Sequence, residues 1–199
     1  MRIANRTTDT SRAKLPGTIR KLWVGEAAML RDHLLRLDPE SRRNRFGSTV
    51  NTYFIDQYAS RAVTPESVVH GYFEDGTLRA AAELRPFGKP FPVDAEAALS
   101  VERPWQNHGV GSALLERTIL AAQNRGIRTI QLNCLVDNIR MQAVAKKHEA
   151  LLRFRADEVV GEVANPIPTP LSLMREIIAD GHGMATVVLD LQSRLLRTA

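Results

Sequence analysis

The tract from Asp94 to Gly126 constrains the fold more than any other part of the chain. Small and aliphatic residues run through Ala95, Glu96, Ala97, Ala98, Leu99, Ser100 and Val101 until Arg103-Pro104 stops them, which reads as a strand over 94–102. The turn Gln106-Asn107-His108-Gly109-Val110-Gly111-Ser112 follows. From Gly109 to Arg125 a helix is expected, with Leu114, Thr118 and Ala121 along one side and Leu115, Ile119 and Ala122 beside them. Gly126 stands where a left-handed C-terminal cap is wanted. A strand that enters a glycine-bearing turn and opens a helix presents unpaired backbone N–H groups and a positive helix end, and that combination holds a phosphate. Gly109 and Gly111 would let a pyrophosphate approach the backbone closely. The lysine and hydroxyl of a P-loop are missing, as are the third glycine and the later acid of a dinucleotide fingerprint.

The elements around this tract alternate in a way that predicts an α/β domain. A first strand is expected from Thr18, and a helix from Gly25 with Ala28, Leu30, Leu34, Leu35 and Leu37 on its apolar face, ended by Asp38-Pro39. A second helix spans 52–62. Val68–Glu74 and Thr77–Leu84 read as strands joined by the hairpin dipeptide Asp75-Gly76, and the proline-bearing stretch 85–93 reads as irregular. Later come a strand over 127–134, a helix over 138–148 and strands over 151–155 and 159–163. Residues 1–16, polar and without apolar period, read as a mobile arm, and 17–164 as the main domain. The tail 165–199 reads as a proline-rich connector and two helices, 171–179 and 185–196, separated by Gly181-His182-Gly183. Leu171, Met174 and Ile178, then Val188, Leu191 and Leu195, form stripes that are expected to pack on the domain or on a second copy in a homodimer.

Composition excludes several classes. No apolar run approaches a membrane span, no secretory segment opens the chain, and the single Cys134 forbids an internal disulfide, so a cytoplasmic protein is expected. The formal charge of +5 is spread along the chain, which argues against a nucleic-acid footprint. His33, His70, His148 and His182 stand singly, with no carboxylate or cysteine at ligand spacing, so no metal is expected. Ser112, in Gly109-Val110-Gly111-Ser112-Ala113, lacks the second glycine of a hydrolase elbow.

Gln106, Gly109 and Gly111 fit the Q/RxxGxG/A pyrophosphate loop, and with the strand ending Asn133-Cys134 and the helix opening at Asn138 the chain resembles the GNAT family of N-acyltransferases. Residues 32–42, continuing to Arg45-Phe46, also look like the amino-terminal part of that family's protein-lysine acetyltransferases. The resemblance implies a mixed central sheet splayed between its fourth and fifth strands. It implies acetyl-CoA as cosubstrate, with the pantetheine arm along Leu99, Ser100 and Val101 and the pyrophosphate at Gln106, Asn107, His108, Gly109, Val110, Gly111 and Ser112. Asn133 and Asn138 complete the cofactor-binding set.

The expected reaction is direct attack of a primary amine on the thioester, the acceptor being a protein lysine or a small molecule. An amine with a pKa near ~10.4 needs a base at neutral pH. Glu96 occupies the position of a catalytic glutamate in the lysine acetyltransferases, with Glu83 as second choice. The chain departs from the family in one respect. The tyrosine that many members carry about seven residues after the helix-opening asparagine is replaced here by Ala145. A catalytically silent acyl-CoA sensor or scaffold is therefore the alternative reading.

Overall fold

The computed structural model describes residues 15–88 and 93–197, with side chains as far as Gly183 in the last helix. The expected arm thus lies almost wholly outside the described residues. The order is β1 (Thr18–Lys21), a 3-10 turn at Val24–Glu26, α1 (Ala27–Arg36), α2 (Pro39–Phe46), α3 (Thr52–Ala62), β2 (Val68–Glu74), β3 (Thr77–Phe87) and β4 (Asp94–Val101). After a 3-10 turn at Arg103–Trp105 come α4 (Val110–Asn124), β5 (Thr129–Leu135), α5 (Ile139–Lys147), β6 (Leu151–Phe154), β7 (Glu158–Ala164) and α6 (Pro170–Arg197).

One mixed sheet runs β1-β2-β3-β4-β5-β7-β6, antiparallel throughout except for the parallel pair β4 and β5. α1 and α3 cover one face, where Leu30, Leu34 and Ile55 pack with Val69, Phe73 and Ala81. α4 and α5 cover the other, where Leu115, Ala121 and Ala145 meet Ala95, Ala97, Ile130 and Leu132. Alternation along each strand supplies both layers. Ala80 and Ala82 are fully buried against Val110 and Leu114, and their small side chains let α4 lie close to the sheet.

The feature that matters for function is the seam between β4 and β5. Only Asp94 with Thr129, Ala95 with Ile130 and Glu96 with Gln131 are in register, although both strands run on, to Val101 and Leu135. Beyond Glu96 the strands part, and among the described residues the edge of β4 that faces β5 has no strand partner.

Four expectations need correcting. Asp38-Pro39 does not simply end a helix: Asp38 is the N-cap of α2, its carboxylate accepting from Ser41 N at 3.1 Å with Pro39 in the first turn, so one dipeptide stops α1 and starts α2. Residues 85–87 are not irregular, because β3 continues to Phe87 opposite Asp94. Its pairing with β2 ends at Val68 and Leu84, so Pro86 sits where β3 has only one neighbour and its missing N–H is harmless.

The tail is one helix, not two. Gly183 lies where a Cβ would stand 2.7 Å from Arg20 Cβ, so this glycine marks a close approach of α6 to β1 and not a break. The stripe Leu171, Met174 and Ile178 is not covered by the domain: these residues are 57%, 57% and 52% exposed. α6 instead docks through polar groups, with Ser172 and Glu176 on Asn124 and Asp180 on Arg117. The stripe expected at Val188, Leu191 and Leu195 lies outside the described side chains. Among the described residues, no helix is long and apolar enough to cross a membrane, and no cluster of His, Cys, Asp or Glu is arranged to hold a metal ion.

Candidate functional site

Where β4 and β5 part, a cleft of about 490 Å³ opens between them, bordered by α2, the start of α4 and α5. Its floor is β4, with Glu96, Leu99, Ser100 and Val101 all lining it. Gln106, Asn107, Gly109, Gly111 and Ser112 line one end, and Asn133 and Asn138 the opposite wall. Two expected residues stand apart from the lining. His108 is exposed outside the cleft, and Val110 turns its side chain into the core at 1% exposure.

The start of α4 is built to accept an anion. Gly109 is its N-cap with φ 85°, a left-handed conformation that glycine adopts without strain, and it brings no capping side chain. Asn107 is also left-handed, at φ 63°. The first intrahelical bond is Ala113 N to Gly109 O at 3.0 Å. The N–H groups of Val110, Gly111 and Ser112 precede it, so the helix itself provides them no acceptor. The Ser112 hydroxyl is engaged elsewhere, 3.0 Å from His148 Nε2. These donors, which the helix leaves free, together with the helix dipole and the open edge of β4, fit a pyrophosphate with an extended arm behind it.

Gln106 plays a different part from its neighbours. Its Nε2 donates to Val101 O and to Ser41 Oγ, both at 2.9 Å, so it ties the turn to β4 and α2. Asn138 caps α5, accepting from Met141 N at 3.1 Å. Sequence reasoning gave α2 no place in the site, yet its Ser41, Asn44 and Arg45 line the cleft. Ion pairs fasten this helix to both rims: Arg103 to Asp38 at 2.7 Å and to Glu40 at 2.8 Å, Arg140 to Glu40 at 3.2 Å, and Arg43 to Asp137 at 2.8 Å. Each exposed pair stabilises little by itself. The signal for α2 was present in Asp38-Pro39-Glu40, a cap, an N1 proline and an acid in the first turn.

The two carboxylates considered as bases differ sharply. Glu96 is exposed at the fork, with Asn133 Nδ2 3.4 Å from its Oε1. Glu83 is 2% exposed and fully occupied, accepting from Arg45 Nη2 at 2.6 Å, Tyr58 Oη at 2.7 Å and Arg85 Nη2 at 3.0 Å. Burial alone would raise its pKa, but the Arg45 and Arg85 charges outweigh that and hold it below the usual carboxylate range. Glu83 is therefore a poor base. Ala145, in the place of the tyrosine, is buried in the core.

A second polar group went unseen in the sequence. His33 on α1 lies between Ser100 Oγ, 2.9 Å from Nε2, and Glu102 Oε1, 3.2 Å from Nδ1. Its three members are separated by 67 and 69 residues, so no local pattern announces it.

Solved structures share this architecture. The GNAT domain of S. lividans PAT superposes with a TM-score of 0.66 at 23% identity, covering 74% of this chain and 90% of that one. The yncA protein of Salmonella typhimurium, solved with its cofactor acetyl-CoA, gives 0.57 at 15% identity, over 77% and 97% of the two chains. The paiA N-acetyltransferase of Thermoplasma acidophilum, in complex with coenzyme A, gives 0.57 at 17% identity, over 75% and 99%. At these identities the likeness speaks for the fold alone. The model of the acetyltransferase (GNAT) family, however, matches residues 27–149, from the start of α1 to just past α5, which is more than half of the chain. The chain belongs to the GNAT family of acetyltransferases.

Proposed function

We propose that the protein transfers the acetyl group of acetyl-CoA to a primary amine, by direct attack of the amine on the thioester. The observation that carries this reading is the continuity of the cleft: the unpaired edge of β4 leads straight into the uncapped start of α4, with Glu96 at the fork where β4 leaves β5. In this reading the turn 106–112 holds the pyrophosphate through the N–H groups of Val110, Gly111 and Ser112. The backbone of Leu99, Ser100 and Val101 pairs with the pantetheine arm. Glu96, free of the arginines that occupy Glu83, takes a proton from the incoming ammonium group. The acceptor we favour is a protein lysine. The likeness of residues 32–42, continuing to Arg45-Phe46, to lysine acetyltransferases supports it.

Turnover of acetyl-CoA against a panel of lysine peptides and small amines, read by mass gain of the acceptor, tests the reaction. Glu96→Gln should bind acetyl-CoA as before and acetylate about 10²- to 10⁴-fold more slowly, the usual contribution of a general base. Full activity with an unchanged pH–rate profile would remove Glu96 from the chemistry.

A further inference from the structure

Ser100 is where a buried chain of polar groups opens on the cleft. His33 is 0% exposed, yet both of its ring nitrogens are engaged, Nδ1 with Glu102 Oε1 and Nε2 with Ser100 Oγ. Glu102 also accepts from Arg36 Nε at 2.9 Å and from Arg79 Nη1 at 3.2 Å. Burial opposes its ionisation, but the bonds from His33 and Arg36 more than offset that and keep its pKa low. An ionised carboxylate only accepts, so Nδ1 carries the ring proton and Nε2 is the acceptor. The Ser100 hydroxyl must then donate to Nε2, which leaves its lone pairs for the cleft. Burial lowers the pKa of His33 against the pull of Glu102, so the ring is neutral and able to take up a proton.

We infer that Ser100, with His33 and Glu102 behind it, carries the proton that must pass from the attacking nitrogen to the departing sulfur. This rests on the amine-acetylation reading above. A primary ammonium loses two protons in becoming an amide. The first leaves before attack, through Glu96 to solvent. The second leaves the nitrogen once the C–N bond has formed, and one proton must reach sulfur as the C–S bond breaks. Ser100 Oγ takes the proton from nitrogen while its own passes to His33 Nε2, and Glu102 balances the imidazolium. The reverse movement, from Nε2 to Oγ and from Oγ to sulfur, returns the relay to its starting state and releases a thiol. No other reactant is required, and the tyrosine that Ala145 replaces is not needed.

The same geometry argues against Ser100 as a covalent acyl carrier. His33 has no exposure of its own and meets the cleft through the Ser100 hydroxyl, so an acetylated Ser100 would block that route and cut His33 off from any attacking water. Ser100 is thus the residue placed to touch substrate, and His33 and Glu102 position and bias it.

Two measurements test the relay. Long-range ¹H–¹⁵N spectra of the protein without substrate should show His33 as the Nδ1–H tautomer, with an Nε2 resonance that moves in Ser100→Ala. In turnover, Ser100→Ala should lower kcat about 10²- to 10⁴-fold, with little change in KM for acetyl-CoA, and Ser100→Thr should recover much of the loss. An Nε2–H tautomer in the wild-type protein, wild-type kcat in a folded Ser100→Ala variant, or an acetyl group found on Ser100 would each overturn the relay. The tautomer can be read even if the alanine variant fails to fold. A wild-type chain inactive on every amine would sink the acetylation reading itself, whereas an active chain indifferent to Ser100→Ala sinks only the relay.

Discussion

Replacing Gly111 with valine should separate folding from cofactor binding. A Cβ at this position would stand 3.7 Å from Val101 Cγ2 and 3.9 Å from Val144 Cγ2, which is ordinary contact, and the backbone is not left-handed there. Stability should therefore change by no more than about 1 kcal/mol. The added branches project into the cleft between β4 and α5, over the N–H groups that precede the first bond of α4. Hydrogen bonds to a charged group contribute about 1.5–3 kcal/mol each. Losing two removes about 3–6 kcal/mol, or roughly 10²- to 10⁴-fold in Kd at about 1.4 kcal/mol per tenfold. Gly109→Ala is the contrasting control. Nothing lies within 4 Å of its Cβ, but its φ of 85° should make the change destabilising by about 1–2 kcal/mol. Calorimetric titration with acetyl-CoA, beside thermal melts of both variants, reads the two effects. A folded Gly111→Val protein with unchanged acetyl-CoA affinity would refute the placement of the pyrophosphate.

Two further perturbations follow from buried charge. Arg45→Met leaves Glu83 with Arg85 and Tyr58 alone, and the melting temperature should fall by the equivalent of about 3 kcal/mol, near the low end for breaking a buried pair; an unchanged melt would mean Arg85 compensates fully. His70 is fully buried, and burial first, then the nearby Arg117, Arg125 and Lys21 charges, lowers its pKa to about 3. The unfolded chain thus binds a proton that the folded chain refuses between that value and the ordinary pKa of about 6.5, so His70 costs stability as pH falls through this window, by about 1.4 kcal/mol per pH unit. Denaturant midpoints across the window should show a shallower acid slope in His70→Gln, and an identical slope would exclude His70 as its source.

Much of the sheet was legible because its signals are local. Asp75-Gly76 gives a tight hairpin with φ of 51° and 68°, and the aliphatic runs on either side fix β2 and β3. The strand, turn and helix of 94–126 were legible for the same reason. Punctuation residues were misread where tertiary structure gave them a second meaning: Asp38-Pro39 both stops and starts, Pro86 outlasts the partner strand, and Gly183 makes room for Arg20. The stripe on α6 shows the limit of periodicity, which can locate an apolar face without saying whether anything covers it. The relay at His33 shows another, since an α1 histidine and two β4-end residues meet only after the sheet has formed.

An open strand edge is ordinarily a hazard, because any other extended chain can add to it and begin aggregation. The free edge of β4 avoids that hazard by its depth. β5 rises on one side, and α2, tied down through Arg103, Arg140 and Arg43, roofs part of the gap. A foreign strand carries side chains on both faces and needs a neighbour spacing of about 4.8 Å along several residues, which a gap closing to three paired residues at Glu96 does not offer. A thin arm with isolated amides has no such requirement. In the proposed reading, the narrowness that admits the cosubstrate arm also keeps the edge from recruiting other polypeptides, and a variant that widened the fork should first betray itself by clumping.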